Sequence, residues 1–366
     1  MTSEPYIVDD PRARPARSPG EWQALHIFYS ANSQPILTDC VAPLVRDLRD
    51  RGLLERYFFI NYWMEGPHVR LRLKPATEAA TPAVRAAAEA AVQEFLSSRP
   101  ALYEFDQDML KAQEDLFIME YPDENERRRM YPDGRIPVQG NNTFHYRPYH
   151  PEYDRYGGPV GIPLAERHFE FSSDLVIKLL QTANVHVRPV LLGLAAQLMM
   201  ISVSTFMRDT RQMARFLERY HDYWNSSFGL DYWSSTTRIV EDSTASYRVC
   251  YDSMKDVLTT RFMDTHNSIQ RGEPDRLTGF RAMWARHWET LREQVLELGT
   301  AGKLTFVKAG TSRAPKVISD PEILLPHLLA SYIHMTNNRL GLPIADEAYL
   351  AYILARTLQD NVGSAP

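Results

Sequence analysis

From His68 to Leu73 the chain alternates cationic and apolar residues at a period of two, reading His-Val-Arg-Leu-Arg-Leu. Extended, this segment puts Val69, Leu71 and Leu73 on one face and His68, Arg70 and Arg72 on the other. Glu65-Gly66-Pro67 supplies a turn, and the aromatic run from Phe58 to Trp63 makes the other arm of a hairpin over 57–73. Trp22–Ser30 reads as a strand and Thr38–Arg51 as a helix capped by Thr38 and stopped by Gly52. Thr81–Ser98 reads as an alanine-rich helix and Leu102–Leu110 as a strand. The β-α-β-β-α-β order predicts an antiparallel, ferredoxin-like sheet with helices on one side.

Residues 121–143 form a polar connection with the charge cluster Glu124 to Arg129, read as a solvated loop or short surface helix. Thr143–Tyr149 is a further candidate strand. Helical periodicity then dominates, over 163–183, 187–206, 208–225, 243–268, 277–298, 321–340 and 344–360. Pro163 and Pro321 suit first helical positions, and Gly341 with Pro343 ends the penultimate helix. Residues 300–318 fit a hairpin around Lys308-Ala309-Gly310. The fold class is α+β: a ferredoxin-like sheet region in the N-terminal part packed with a mainly helical C-terminal part. A mobile tail is expected over 1–20 and a single unit over 21–361, mixed α/β to 156 and mainly helical from 157.

At 366 residues and 44% hydrophobic the chain can bury a substantial core. A net charge of -5 argues against a general nucleic-acid surface, which needs basic residues to neutralise phosphates. Cys40 and Cys250 are the two cysteines and form no CxxC pair, so neither a disulfide framework nor a cysteine zinc site is indicated, and a reducing cytoplasm fits. The longest apolar stretch, Pro189 to Val203, is interrupted by Gln197 and reads as a buried core helix, with no membrane span expected. GxGxxG, GxxxxGK[ST] and HExxH are absent, and no cofactor or metal is expected.

Three segments carry candidate chemistry. The cationic face of the 68–73 strand suits a carboxylate or phosphate, although charged residues are also ordinary on a solvated strand face. In Pro326 to Gly341, helical spacing aligns His327, Ser331, His334 and Asn338 on one face, so the helix lines a cleft or holds a satisfied core histidine. In Glu152-Tyr153-Asp154-Arg155-Tyr156-Gly157-Gly158, Arg155 precedes a double glycine and Glu152 is near enough to orient it. A surface ion pair ahead of a helix is the plainer account.

Together these segments resemble the C-terminal elimination domain of class I lantibiotic dehydratases and the free-standing thiopeptide-type bacteriocin biosynthesis proteins built on it. The resemblance runs from about Trp22 to Leu358. It rests on Trp22, Phe28-Tyr29, Gly66 to Arg72, Glu152 to Gly158, Ala165-Glu166, Phe169, His334-Met335 and Asn338-Arg339-Leu340. Ser172-Ser173 departs from the Asp-Ser pair frequent in relatives, so no role is carried over to Ser172.

The resemblance implies a cytoplasmic carbon-oxygen lyase acting on a ribosomally made precursor peptide whose Ser or Thr has been glutamylated by a separate partner protein. It would expel glutamate and leave dehydroalanine or dehydrobutyrine. The catalytic group would be His334, Arg155, Arg70 and Arg72, with His68, Glu152, Ser331, Asn338 and Arg339 binding substrate. Guanidinium forks suit the glutamyl carboxylate and the developing negative charge, and a histidine suits proton transfer. Which residue is the base stays open. Two alternatives remain: a thiopeptide pyridine synthase joining two dehydroalanines, and a non-catalytic subunit capturing peptide by strand addition.

Overall fold

The structure, a computed structural model, describes residues 20–103, 111, 114–118, 121, 123–227, 243–307 and 314–362. Strand β1 (Gln23–Phe28) leads through a helix into β2 (Leu54–Tyr62), which turns back into β3 (His68–Pro75). Helix α2 (Thr81–Ser98) follows, and β4 (Thr143–Arg147) completes the sheet. The order is β2-β3-β1-β4 with every neighbouring pair antiparallel, the ferredoxin-like arrangement expected. Its fourth strand is the 143–149 candidate. Leu102 and Tyr103 are exposed and outside any strand, and residues 104–110 lie outside the described residues.

The first helix starts earlier than its sequence implies. Residues Ile36–Val41 wind as a π-helix that runs into α1 (Ala42–Asp50). The buried positions explain this winding: Ile36, Cys40, Leu44 and Leu48 recur every four residues, as do Leu37, Val41 and Val45. A repeat of four drifts off one face of an α-helix but keeps closer to it where the helix is locally widened. Thr38 is consequently internal, its hydroxyl donating to the Gln34 carbonyl at 3.1 Å instead of capping.

Val69, Leu71 and Leu73 join Leu25, Ile27 and Phe59 in a core covered by Leu44, Val45 and Leu48 of α1 and Val84, Ala88 and Val92 of α2. Burying each such aliphatic side chain is worth about 1.5–3 kcal/mol, which fixes the strand register. The opposite face then has no freedom in its composition. Phe58 lies across from Arg72, Ile60 from Arg70 and Tyr62 from His68 on one side, with Ala24, His26 and Phe28 matching them on the other.

The helical part consists of α4 (Gly158–Thr182), α5 (Arg188–Phe206), α6 (Thr210–Ser227), α7 (Ser243–Gln270), α8 (Phe280–Thr300), α9 (Pro321–Leu340) and α10 (Ile344–Val362). A short helix, α3 (Glu124–Met130), occupies the charged connection. Strands β5 (Thr305–Phe306) and β6 (Lys316–Val317) pair as the expected hairpin, whose turn at Lys308 to Gly310 lies outside the described residues. Helix α4 begins five residues before Pro163, which sits inside it, because Gly157 at φ +88 already turns the chain and Pro159 fills the first turn. Helix α5 is long and apolar enough to cross a membrane by composition, yet 61% of its apolar window is buried within the protein. Trp284 of α8 donates to its Leu198 carbonyl at 3.2 Å.

Strand β2 is an edge strand, and helices α4 and α9 close its outer side. The Phe59 N–H donates to Ser173 Oγ at 3.2 Å. Asn61 N–H donates to Asn338 Oδ1 at 3.0 Å, and Asn338 Nδ2 donates back to the Asn61 carbonyl at 2.8 Å. Side chains thus replace the missing neighbouring strand and lock the sheet to α9.

Candidate functional site

On β3 the period of two does bring His68, Arg70 and Arg72 onto one face, but that face is not solvated: His68 is 4% and Arg72 6% exposed. His68 Nδ1 meets the Gly66 carbonyl at 2.8 Å, so this nitrogen carries the proton, and Nε2 accepts from Arg70 Nε at 3.1 Å. Burial, reinforced by the charges of Arg70, Arg72 and Arg147, pushes the His68 pKa down to about 3 against a weaker opposing effect of the Gly66 hydrogen bond. A neutral imidazole of fixed tautomer therefore holds Arg70, whose guanidinium lies 3.3 Å from the centroid of the Tyr62 ring.

Arg72 points into aromatic surroundings, 5.5 Å from the Tyr149 ring. Its Nε and Nη1 have no hydrogen-bond partner among the described residues. Burial and the neighbouring Arg70 lower its pKa to about 10. Beside it on β1, His26 is pushed down to about 2 by burial, then by Arg72 and Arg70.

The 152–158 turn holds the second group. Glu152 and Arg155 form an ion pair at 3.3 Å with both side chains about half exposed, and the charge of Arg155 contributes to lowering the pKa of His327. The next residue turns inward. Tyr156 is 2% exposed and stacks on Tyr332 at 5.5 Å and edge-on to Phe169 at 5.1 Å. The double glycine lets this turn lie against β5, with the Thr305 N–H donating to the Gly157 carbonyl at 3.3 Å. A Cβ on Gly161 would lie 1.9 Å from the Tyr156 carbonyl oxygen. Gly161→Ala is therefore expected to cost about 2–3 kcal/mol, read as a lower denaturant midpoint. An unchanged midpoint would contradict this packing.

The α9 stripe is the third group. His327, Ser331, His334 and Asn338 occupy its more open face, while Leu328, Leu329, Tyr332, Ile333 and Arg339 are buried. From His327 to Asn338 the stripe is about 16 Å long, at roughly 1.5 Å per residue. Its members meet different elements. His327 lies edge-on to Phe306 of β5 at 4.8 Å, and Asn338 is fully engaged with Asn61. His334 packs on Trp224 of α6 at 4.5 Å, and its Nδ1 meets Oε2 of Glu347 at 3.1 Å. Glu347 is 1% exposed and also accepts from the Tyr220 hydroxyl. Arg339, on the other side of the helix, is 1% exposed, with its guanidinium 4.7 Å from the Phe169 ring.

The structure thus joins His68 with Arg70 by a hydrogen bond and Arg155 with Glu152 by an ion pair. It does not bring His334 into contact with the strand arginines. The link is indirect: Arg70 lies on Tyr62, which follows Asn61, which is tied to Asn338 one turn beyond His334. Sequence reasoning missed Glu347, Tyr220 and Trp224 around His334, and His26 and Tyr149 around the strand. Glu347 lies in the helix after the Gly341 turn, and no spacing in the sequence pairs it with His334. Among the described residues no three His, Cys, Asp or Glu side chains gather as a metal site. The surface clefts lined by Glu21, Gln23, Glu78, Arg85 and Glu89, and by residues of α7 to α8, contain none of the residues named above.

A family model described as the lantibiotic biosynthesis dehydratase C-terminal region matches residues 22–358. The fold is similar to "Pyridine synthase, TbtD, from thiomuracin biosynthesis", with TM-score 0.69 and 19% identity, covering 94% of this chain and 99% of that one. It is also similar to TsrL, with TM-score 0.62 and 17% identity over 94% and 95% of the two chains. The tRNA-dependent lantibiotic dehydratase MibB from Microbispora sp. 107891 matches at TM-score 0.40 and 18% identity, over 96% of this chain and 29% of that one, a likeness too low to argue from. No curated protein matches the chain.

Proposed function

The chain belongs to the lantibiotic dehydratase C-terminal family, and from that membership we propose that it removes glutamate from glutamylated Ser or Thr residues of a precursor peptide. The observation that carries this reading is His334. It is half-buried on the open face of α9, and its Nδ1 is oriented by a buried carboxylate, which leaves Nε2 available to a substrate proton. A histidine fixed by a carboxylate is a common design for a positioned base.

In the reaction His334 Nε2 takes the α-proton of the esterified residue. The electron pair forms the new carbon-carbon double bond, the carbon-oxygen bond breaks, and glutamate departs through its α-carboxylate. Guanidinium groups stabilise the enolate-like carbonyl and the departing carboxylate. An extended peptide along α9 would have such groups on both sides of His334. Arg155, oriented by Glu152, stands near His327, and Arg70, held by His68, stands beyond Asn338. The precursor peptide is the substrate, and a separate protein supplies the glutamyl ester.

A second reading has the same scaffold join two dehydroalanines, and the fold likeness to a pyridine synthase favours it. That chemistry needs no glutamate pocket, so two peptides separate the readings by mass. The elimination reading predicts that a glutamylated peptide becomes a dehydro peptide while a polydehydrated peptide is returned unchanged. Macrocyclisation of the polydehydrated peptide with no action on the glutamylated one would replace it with the synthase.

A further inference from the structure

Helix α6 carries Tyr220 and Trp224 four residues apart, so both side chains lie on one helix face, and both are buried. That helix packs along α10, and the two residues reach His334 by different routes. The Tyr220 hydroxyl donates to Oε1 of Glu347, and Oε2 of the same carboxylate meets His334 Nδ1 at 3.1 Å. The Trp224 ring lies 4.5 Å from the imidazole with 33° between the planes, and it meets the Tyr220 ring edge-on at 6.0 Å. One indole thus touches both ends of a chain that runs from Tyr220 through Glu347 to His334.

The direction of donation along this chain is fixed at its Trp224 end. Burial, and then the charge of Glu347, push the Tyr220 pKa well above the usual tyrosine range, against a weaker hydrogen-bond effect of Trp224. Tyr220 therefore keeps its proton. An indole N–H donates and never accepts. The Trp224 N–H, buried and outside full hydrogen-bond geometry, acts on the Tyr220 oxygen as a donor, which leaves the phenolic proton for Glu347. Glu347 then has Oε1 filled by a donor and offers Oε2 as an acceptor, so His334 donates from Nδ1 and its Nε2 carries no proton. Without the hydroxyl, Oε1 would be buried with no donor, and a proton on the carboxyl would be the remaining way to satisfy it. Donated to Nδ1, that proton would reverse the imidazole tautomer.

We propose that Tyr220 and Trp224 are positioning residues that act through Glu347 to hold His334 in the tautomer whose Nε2 is bare. The tautomer rests on the hydrogen-bond chain alone. That Nε2 then takes the α-proton of a glutamylated residue rests on the elimination reading. Once it has done so, the imidazolium lies between the Glu347 carboxylate and the face of the Trp224 ring, both of which favour a cation.

The test reads the histidine itself, by nitrogen NMR of the whole chain labelled on histidine, with the His334 signals identified by their loss in His334→Gln. At about pH 8, where a free imidazole is neutral, the parent should show a protonated Nδ1 and a bare Nε2. Tyr220→Phe keeps the ring and removes the hydroxyl. It should populate the Nε2–H tautomer and lower kcat on a glutamylated peptide roughly tenfold to a hundredfold, as for a lost hydrogen bond to a charged group, with KM little changed. Trp224→Phe keeps an aromatic face without the N–H and should move both readings the same way by less. Phe216→Leu is the packing control, since its ring stacks on Tyr220 at 5.8 Å. It should lower the melting temperature and leave tautomer and kcat as in the parent, and a merely structural Tyr220 would behave the same way. A parent with its proton on Nε2, or a parental His334 tautomer in both Tyr220→Phe and Trp224→Phe, overturns the proposal. So does a shifted tautomer with parental kcat. The tautomer shift in a chain that eliminates no glutamate would keep the positioning and sink the elimination reading. Elimination with the tautomer unmoved would do the reverse.

Discussion

His334→Ala is expected to lower elimination by roughly 10²–10⁴-fold, the usual worth of a positioned general base, and to lower the melting temperature, because the buried Glu347 carboxylate loses a hydrogen-bond partner. The stability half of this expectation follows from Glu347, which is 1% exposed and keeps the Tyr220 hydroxyl as a donor once the imidazole is gone, while the helix core of Leu328, Leu329, Tyr332 and Ile333 stays intact and the fold is retained. The activity half follows from the Nδ1 contact to Glu347, which spends one ring nitrogen on orientation and reserves the other for substrate. Glu347→Gln should fall between parent and His334→Ala. The double variant should be no worse than His334→Ala, because groups acting as one unit do not add. Single-turnover rates on a glutamylated peptide, with melting curves alongside, measure all of this. Near-parental turnover in His334→Ala would remove His334 as the base.

A large loss of stability is expected on acidification from pH 7 to pH 5. Burial pushes His26 to about 2, His68 to about 3 and His287 to about 3, and His168 well below the usual histidine range. His168 Nδ1 and His287 Nε2 meet at 2.9 Å, so one donates and the other accepts while both stay neutral. Each group has a folded pKa below its unfolded value of about 6.5. Between these values the unfolded chain binds more protons, so the stability gained from a neutral histidine is present above about pH 6.5 and is lost as pH falls. At about 1.4 kcal/mol per pH unit, each contributes a loss of up to about 2 kcal/mol at pH 5. Glu166 and Glu170 oppose this, since burial raises their pKa values and favours the folded state on acidification. The net loss of several kcal/mol is still a large part of a typical stability of about 5–15 kcal/mol. Urea titrations at pH 7.5, 6 and 5 should show the midpoint falling steadily, and less steeply in His26→Phe. Equal midpoints at all three values would contradict the burial of neutral histidines.

Period and punctuation made much of the fold legible. Alternation sorted His68, Arg70 and Arg72 from Val69, Leu71 and Leu73 because a strand has only two faces, and Pro321 with Gly341 marked the ends of α9 at their observed positions. Punctuation misled where a neighbour outranked it. Pro163 has the marks of a helix start, but the left-handed Gly157 turn begins the helix sooner. Thr38 has the marks of a cap, but the four-residue spacing of its buried neighbours extends the helix past it. Depth was the main thing hidden. A period of two says which face a residue occupies and nothing of what covers that face, so the burial of His68 and Arg72 could not be read. Glu347 and Tyr220 reach His334 only through tertiary packing.

The most direct measurement of the central claim uses a peptide carrying a glutamyl ester on a serine labelled with deuterium at the α-carbon. Incubated with the purified chain and followed by mass, it should lose one glutamic acid together with the label, leave dehydroalanine, and react more slowly than the unlabelled peptide. An unchanged mass, or return of the serine with its label retained, would contradict glutamate elimination by this protein.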